Sequence, residues 1–303
     1  MEPKNIKPKI LVIVGPTSSG KSDLAVELAL KYNGEVVSAD SRQVYKGMDI
    51  GTGKITKEEM KGVPHHLLDV ISPSNEYVFS VQDFKVLADK AIADILSRNK
   101  LPIICGGTGF YIQAVVDNVT LPEVSPDQVL RAKLSEKSTE ELFEMLKAKD
   151  PERAEVIDPH NHVRIIRALE INEALGNVPK IQTEPLYDTL QIGIEISDEE
   201  LRPRIFKRLL KRFDLGMLDE AKKLHAEGVT FKRMEDLGLE YKYMALHLQN
   251  KLTQQEMIDA LEIATRQYAR RQKTWFRRDK RIKWLSLDNK SEIACSIDQF
   301  IVS

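Results

Sequence analysis

A glycine-rich loop between an apolar run and a helical pattern constrains this chain more than any other feature. The apolar run covers Ile10–Val14, the stretch GPTSSGKS follows from Gly15 to Ser22, and a helical pattern covers residues 22–32. The loop satisfies G-x-x-x-x-G-K-[ST], in which inward-turned backbone N–H groups and a helix N-terminus hold phosphate groups. Because the loop stands between a strand and a helix, we predict a phosphate-binding loop (P-loop) here.

Each part of this loop has a chemical role. Glycines let the backbone turn inward, Lys21 reaches the terminal phosphates, and the Ser22 hydroxyl completes the shell of a Mg²⁺ ion. We therefore expect Mg²⁺ as the cofactor. The predicted diphosphate- or nucleotide-binding residues are Gly15, Pro16, Thr17, Ser18, Ser19, Gly20, Lys21 and Ser22. The loop alone does not distinguish ATP, GTP or another diphosphate ester.

Strand and helix patterns alternate in the first third of the chain. Strands are predicted at Ile10–Val14, Glu35–Ala39, His66–Ile71 and Leu101–Cys105, and helices at Ser22–Tyr32 and Ser80–Asn99. Such alternation is typical of a mostly parallel sheet with helices on both faces. The predicted fold class is therefore α/β, with a P-loop NTPase-like sheet.

The pattern changes near residue 121, where helix starts at Pro126 and Ser138 and a stop at Gly176 replace the strand signals. The strand pattern returns at Leu190–Ser197, and helices at 198–228 and 253–278, a short strand and a last amphipathic segment follow. We predict a core made of residues 1–120 and 186–303, interrupted by a helical insert at 121–185.

Composition limits the class of protein. The 303 residues carry a net charge of -1, so a nucleic-acid surface must come from an uneven distribution of charge. Two cysteines are too few for a disulfide framework. The start has no apolar signal region, and no apolar stretch is long enough to span a membrane. We expect a cytoplasmic monomer without a membrane partner.

A carboxylate follows the second predicted strand. In SADSRQV, Asp40, Ser41, Arg42 and Gln43 stand at the carboxyl end of that strand, the edge at which parallel sheets bind ligands. Asp40 lies close to the P-loop if the two strands are neighbours. A turn-capping role is the alternative, but Arg42 and Gln43 suit base edges or phosphates, so we favour Asp40 as a general base.

Two later segments concentrate positive charge. In residues 201–212, six basic residues occur without an acid, and Arg204, Lys207, Arg208 and Lys211 share one helical face. In residues 266–283, nine basic residues surround one acid and three aromatic residues. Cations with interleaved aromatic rings suit single-stranded RNA, although Trp275 and Phe276 also suit anchoring of the helix to the core.

Five motifs in a fixed order carry a resemblance to a known family. GPTSSGKS, SADSRQVYKGMDIGTGK, VPHHLLD, GGTGFY and RRQKTWFR extend from Gly15 to Arg277. Together they resemble the bacterial tRNA dimethylallyltransferases, which prenylate the adenosine just 3′ of the anticodon. One stretch departs from the family: Gly238, Tyr241 and Lys242 are spaced apart in LGLEYKYM, where the family has them in a Gly-Tyr-Arg/Lys run.

The resemblance implies transfer of a dimethylallyl group from dimethylallyl diphosphate to N6 of adenosine 37 in the anticodon stem-loop of tRNA. The P-loop then holds a leaving diphosphate. Asp40 is expected to accept the N6 proton, and Thr17, Lys21 and Arg204 to stabilise the diphosphate, which makes these four the predicted catalytic residues. The insert is expected to clamp the stem-loop.

The predicted tRNA contacts lie near the cradle, in the insert and in the basic C-terminal segment. They are Asp40, Ser41, Arg42, Gln43, Thr108, Arg131, Arg164, Arg167, Arg270, Arg271, Gln272, Lys273, Thr274, Trp275, Phe276 and Arg277. Three alternatives stay open: prenylation of free adenine nucleotides, a P-loop nucleotide kinase, and a non-catalytic P-loop switch that binds RNA. The basic aromatic segment argues against the first of these, because a mononucleotide needs no such surface.

Overall fold

The computed structural model describes residues 7–74 and 77–302, which form two compact units. One unit comprises the residues up to Asn118 together with those from Pro185 onward, and the other comprises Val119–Glu184. The division predicted from sequence was 1–120 with 186–303 against 121–185. The contact between the insert and an anticodon stem-loop stays a prediction.

The first unit is built on one parallel sheet. Its strands are β1 Lys9–Val14, β2 Gly34–Ala39, β3 His65–His66, β4 Leu101–Gly106, β5 Asp188–Ile194 and β6 Lys283–Leu285, in the order β3-β2-β4-β1-β5-β6. In β1, Ile10 and Val12 enter the apolar cluster on one face, and Leu11 and Ile13 enter the cluster on the other. Burial on both faces explains the continuous apolar runs. The predicted α/β fold is confirmed.

Helices cover both faces of this sheet and build the insert. They are α1 Lys21–Lys31, α2 Lys57–Met60, α3 Val81–Ser97, α4 Gly109–Val116, α5 Gln128–Ser135, α6 Thr139–Lys149, α7 Pro151–Val156, α8 His162–Leu175, α9 Asp198–Asp214, α10 Met217–Ala226, α11 Phe231–Leu237, α12 Leu239–Leu248, α13 Gln254–Phe276 and α14 Lys290–Val302. Within the described ranges, none of them is long and apolar enough to cross a membrane.

Two predicted elements differ from the structure, and two helices in the C-terminal half were not predicted. The strand predicted at His66–Ile71 is reduced to β3, because the backbone turns at Leu67 and Asp69, which have φ of 63° and 55°. The helix predicted over 198–228 is two helices, α9 and α10, which part at Gly216 with φ of 93°. Helices α11 and α12 were not predicted, because segments of two to three turns carry a weak periodic signal.

Three loops start side by side at the carboxyl edge of the sheet. Val14 of β1 and Ala39 of β2 both pair with Gly106 of β4. Strand β4 therefore separates β1 from β2, which are not direct neighbours. A Cβ atom on Gly106 would lie 2.2 Å from the carbonyl oxygen of Ala39, so only glycine allows this close packing.

The insert has an apolar core of its own. Helices α5 to α8 bury Leu142, Leu146 and Ile165 in it. Ser138 caps α6 through its hydroxyl, and Gly176 ends α8 with φ of 83°, as predicted for both residues. The insert is therefore a helical unit with its own cluster of buried side chains.

Candidate active site

The loop after β1 forms an anion cradle at the N-terminus of α1. Gly20 precedes the helix with φ of 90°, and Ser18 has φ of 62°. A Cβ atom on Gly15 would lie 2.8 Å from the hydroxyl oxygen of Ser19, so the loop is closed too tightly there for a side chain. The unpaired N–H groups and the dipole of a helix favour an anion at this end. The predicted strand–loop–helix arrangement is present.

The Lys21 ammonium group contacts the backbone of this cradle. Its Nζ donates to the carbonyl oxygen of Pro16 at 3.3 Å. Burial lowers the pKa of Lys21; nearby Cys105 and Asp40 oppose this effect, and nearby Arg208 adds to it. A partly desolvated cation beside a second cation gains most from an anion that neutralises both.

A cavity of about 420 Å³ opens beside the cradle. Lys21 of the P-loop, Asp40 of the loop after β2 and Arg208 of α9 all line it. The structure thus brings Asp40 to the P-loop although β4 separates their strands. Other predicted site residues also line this cavity, namely Thr17, Ser22, Ser41, Arg42, Gln43, Arg271 and Gln272. The volume suits a small ligand or an extruded base.

Arg208 is a cationic site residue that was not assigned from sequence. Its Nη2 donates to the carbonyl oxygen of Gly53 at 2.9 Å, and burial lowers its pKa. Arg204, predicted to bind the diphosphate, lines a neighbouring groove of about 400 Å³ with two lysines of α9, whereas Arg208 lines both spaces. The sequence signal that could have identified Arg208 was its spacing, since it follows Arg204 by one helical turn.

Asp40 is held by its own turn. Its Oδ1 accepts the N–H of Arg42 at 2.9 Å, and the carboxylate is half-buried. No residue in the described ranges donates a hydrogen bond to Oδ2. One carboxylate oxygen is therefore oriented by the backbone, and the other is open to a ligand in the cavity.

Gln272 lies on the buried side of α13 and bonds to two loops. It is 5% exposed, its Oε1 accepts the N–H of Thr17 at 2.8 Å, and its Nε2 donates to the carbonyl oxygen of Gly107 at 3.1 Å. Phe276 is also interior, at 3% exposed, within the apolar core. Burial of Phe276 corrects the expectation that it faces tRNA, whereas Gln272 also lines the cavity, so its contact with tRNA stays a prediction.

The opposite side of α13 carries exposed cations. Lys273 is not one of them, since its Nζ donates to the carbonyl oxygen of Ile196 at 2.7 Å and to Asp198 at 2.6 Å. Trp275 is half-buried, and its ring lies so close to Gly109 that a Cβ atom there would be 2.1 Å away. The exposed predicted residues of this segment are Arg270, Arg271, Thr274 and Arg277.

The stretch Leu237–Met244 divides between cavity and core. Gly238, with φ of 145°, and Lys242 line the cavity. Tyr241 is buried, and its hydroxyl donates to Glu220 at 2.6 Å. The spacing that departs from the family pattern therefore places two of the three residues at the cavity and the third in the interior.

The P-loop offers a hydroxyl group to a magnesium ion. Ser22 is exposed at the start of α1 and lines the cavity together with Lys21. Mg²⁺ keeps several water ligands and prefers phosphate oxygens, so it needs few ligands from the protein. The Ser22 hydroxyl together with a bound diphosphate fits that requirement.

Two of the three predicted arginines of the insert already bind a carboxylate. Arg131 and Arg167 both donate to Glu170, which is buried, and Arg167 also donates to the carbonyl oxygen of Val124 at 2.8 Å. Arg164 is exposed. Tertiary pairing thus gives Arg131 and Arg167 a role in holding the insert together, and their contact with tRNA stays a prediction.

Sequence comparisons match this chain to one family. A family model described as IPP transferase matches residues 43–279. The tRNA dimethylallyltransferase of Oceanobacillus iheyensis is 42% identical over 293 residues, which cover 93% of this chain and 92% of that protein. The tRNA dimethylallyltransferase of Anoxybacillus flavithermus is 40% identical over 285 residues, which cover 92% and 90%.

Solved structures agree. The tRNA isopentenylpyrophosphate transferase of Bacillus halodurans superposes with a TM-score of 0.73 at 40% identity, covering 98% of this chain and 96% of that one. A eukaryotic dimethylallyltransferase, described as acting on tRNA, superposes with a TM-score of 0.84 at 28% identity. The match covers 97% of this chain and 80% of that one.

Fold and site define a parallel α/β protein with an anion-binding loop that faces a carboxylate. Within that class, the chain belongs to the IPP transferase family. The resemblance noted from the five motifs is confirmed.

Proposed function

We propose that this protein transfers a dimethylallyl group from dimethylallyl diphosphate to N6 of adenosine 37, which is 3′-adjacent to the anticodon of tRNA. The products are N6-dimethylallyladenosine and diphosphate. One observation carries the proposal: the cations Lys21 and Arg208 and the carboxylate Asp40 line the same cavity. Relatives that are about 40% identical to this chain over nine-tenths of its length are named tRNA dimethylallyltransferases.

The donor binds through its diphosphate. N–H groups of the P-loop, the Lys21 ammonium group, the Thr17 hydroxyl and the Arg208 guanidinium group surround the anion, and Arg204 lies on the approach to it. As the allylic C1–O bond breaks, its electron pair leaves with the diphosphate, and these donors stabilise the growing charge. The Ser22 hydroxyl would hold a Mg²⁺ ion beside the diphosphate, and that ion would supply further neutralisation.

The acceptor is the N6 amine of adenine. Its lone pair is delocalised into the ring, so the amine is a weak nucleophile and must lose a proton as it bonds to C1. Asp40 Oδ2 accepts that proton, since Oδ1 is occupied by the Arg42 N–H. Help from a general base of this kind accelerates a reaction by about 10²–10⁴-fold.

The RNA binds to the exposed face of α13. Arg270, Arg271 and Arg277 meet phosphates there, and Arg271 also lines the cavity, where its guanidinium group lies 5.8 Å from the Tyr268 ring. The target adenine leaves its stack to enter the cavity, at a cost of about a few kcal/mol. Arg164 of the insert is exposed, and we propose that the insert contacts the anticodon stem-loop.

The experiment uses labelled dimethylallyl diphosphate with two unmodified tRNAs that differ only at position 37, one with adenosine and one with guanosine. We expect label only in the RNA with adenosine 37. AMP and ATP serve as further acceptors, and label on either would favour prenylation of free nucleotides. ATP turnover without prenyl transfer would favour a kinase or a switch and would contradict the proposal.

We further propose that the enzyme works as a cytoplasmic monomer, because one chain by itself brings Lys21, Arg208 and Asp40 to the same cavity. Light scattering at assay concentration should give one chain per particle. A dimer at that concentration, with activity lost on dilution, would contradict this.

A further inference from the structure

We propose that Gln272 and Thr108 form a bridge that sets the spacing between the donor cradle and Asp40. Both are positioning residues for the transfer, and the inference rests on the proposed function. It assigns them a role other than the tRNA contact expected from sequence.

The first half of the bridge is the Gln272 side chain. Thr17 offers an N–H and Gly107 offers a carbonyl oxygen, so the amide has one possible orientation, with Oε1 towards Thr17 and Nε2 towards Gly107. A Cβ atom on Gly107 would lie 2.2 Å from Nε2, which shows how closely the side chain fits. The loop after β1 is thereby joined to the loop after β4.

The second half is Thr108. Its hydroxyl accepts the N–H of Ser41 at 3.0 Å, and its own N–H donates to the carbonyl oxygen of Ala39 at 3.1 Å. These bonds join the loop after β4 to the loop after β2, immediately before and after Asp40. The amide of Gln272 and the hydroxyl of Thr108 therefore complete a continuous path from the cradle to the proton acceptor.

The path matters because β4 lies between β1 and β2. The cradle and Asp40 follow the non-adjacent strands β1 and β2, so among the residues that the structure describes no backbone ladder joins their loops directly. A displacement of about 1 Å between reacting groups can cost roughly 10²-fold in rate. Loss of the bridge should therefore lower the rate of transfer more than the affinity for either substrate.

The test compares Gln272→Met, which keeps length and removes both hydrogen bonds, with Thr108→Val, which keeps shape and removes the acceptor. Each should lower kcat by about 10- to 100-fold at saturating substrates. The Kd values for inorganic diphosphate and for an anticodon stem-loop RNA should stay within about twofold of the wild type. The double variant should be little slower than either single variant, because both interrupt one path.

Two controls accompany these variants. Thr108→Ser keeps the hydroxyl that Thr108→Val removes, so it should retain most of the wild-type rate. Gln255→Met makes the same change near the other end of α13, where the amide bonds only to Asp259 among the described residues, and should leave kcat unchanged.

A normal kcat in both bridge variants would overturn the inference. So would weakened binding of RNA with an unchanged kcat at saturation, which is the result expected if the two side chains contact tRNA.

Amide hydrogen exchange is the readout that does not depend on activity. Gln272→Met should speed exchange at Thr17 and Ser41, and unchanged exchange at both would refute the bridge. If Gln272→Met does not fold, the Thr108→Val and Thr108→Ser pair decides. A wild type that labels no tRNA would refute the proposed function, and the exchange data would still decide the bridge.

Discussion

The Arg208 guanidinium group and the carbonyl oxygen of Gly53 lie 2.9 Å apart, which links α9 to the loop after Met48. The same loop is held from its other side by Glu220, whose carboxylate accepts three consecutive N–H groups of residues 49–51 at 2.8–2.9 Å and the hydroxyl of Tyr241. Arg208 is thus oriented towards the cavity by a loop that is itself fixed.

Gly53→Ala should displace Arg208. Gly53 has φ of 61°, and an added Cβ atom would lie 2.4 Å from Nη2 of Arg208. We expect the affinity for diphosphate, measured by calorimetry, to fall by about tenfold or more, the effect of losing a charged hydrogen bond. Gly62→Ala is the matched control, because Gly62 has φ of 80° and no atom of the described residues lies within 4 Å of the added atom. Equal losses of affinity in both variants would show that backbone strain, and not Arg208, is responsible.

Asp40→Asn should separate binding from chemistry. The amide keeps an oxygen for the Arg42 N–H but cannot take up the N6 proton. We expect kcat to fall by about 10²–10⁴-fold while the Kd for diphosphate changes little. Single-turnover assays with bound tRNA measure this, and near-normal turnover would remove Asp40 from the role of base.

Replacement of Arg270 and Arg271 by Ala should weaken tRNA binding and reduce its dependence on salt. Both side chains are exposed, so each can release counterions from the RNA. The slope of log affinity against log salt should fall by about 0.7 for each lost contact to single-stranded RNA. Lys251→Ala removes an exposed cation beyond the other end of α13 and should leave the slope unchanged. An unaltered slope in the double variant would mean that these arginines do not meet phosphates.

Glu35→Gln should destabilise the fold at neutral pH and much less in acid. Glu35 is 1% exposed and accepts hydrogen bonds from Arg98, from Lys100 at 2.7 Å and from His66 at 2.8 Å. The hydrogen bonds from Arg98, with those from Lys100 and His66, hold the pKa of Glu35 far below its usual 4.5, although burial opposes them. A depressed pKa contributes stability above the pKa of the unfolded chain, and that stability is lost as the pH falls below about 4.5.

Urea unfolding at pH 7, 5 and 3 measures this effect. We expect the variant to be less stable by about 1–3 kcal/mol at pH 7, with the difference shrinking by pH 3. Glu27→Gln, which removes an exposed ion pair with Lys290, should change stability by less than about 1 kcal/mol. A difference for Glu35→Gln that stays constant with pH would contradict the linkage.

The parts of the site that are encoded locally could be predicted from the sequence. The P-loop motif is eight consecutive residues, from the end of β1 into the first turn of α1, so the local sequence determines its geometry. Asp40 could be placed at the edge of the sheet for the same reason. Its proximity to Lys21, by contrast, depends on the strand order, which adjacent residues do not encode.

Features that depend on tertiary packing could not be predicted in the same way. A basic aromatic helix has several possible buried faces, and only packing against the sheet turns Gln272 and Phe276 inward while Arg270 stays exposed. Arg131 meets Glu170 across 39 positions of sequence, a pairing that no local spacing reveals. That Arg208 lines the cavity while Arg204 lines only the neighbouring groove likewise depends on the position of the loop that carries Gly53.

The strand order also sets the distance between β1, which precedes the P-loop, and β2, which precedes Asp40. Strands β1 and β2, one on each side of β4, are two interstrand spacings apart, or roughly 10 Å. A phosphorus atom, its ester oxygen, an allylic carbon, an attacking amine and a carboxylate oxygen in line occupy about 8 Å at the contact distances of a reacting complex. A sheet in which β1 and β2 were adjacent would offer only about half of this distance. Because β4 lies between β1 and β2, the distance between these strands matches the distance that the reacting groups span.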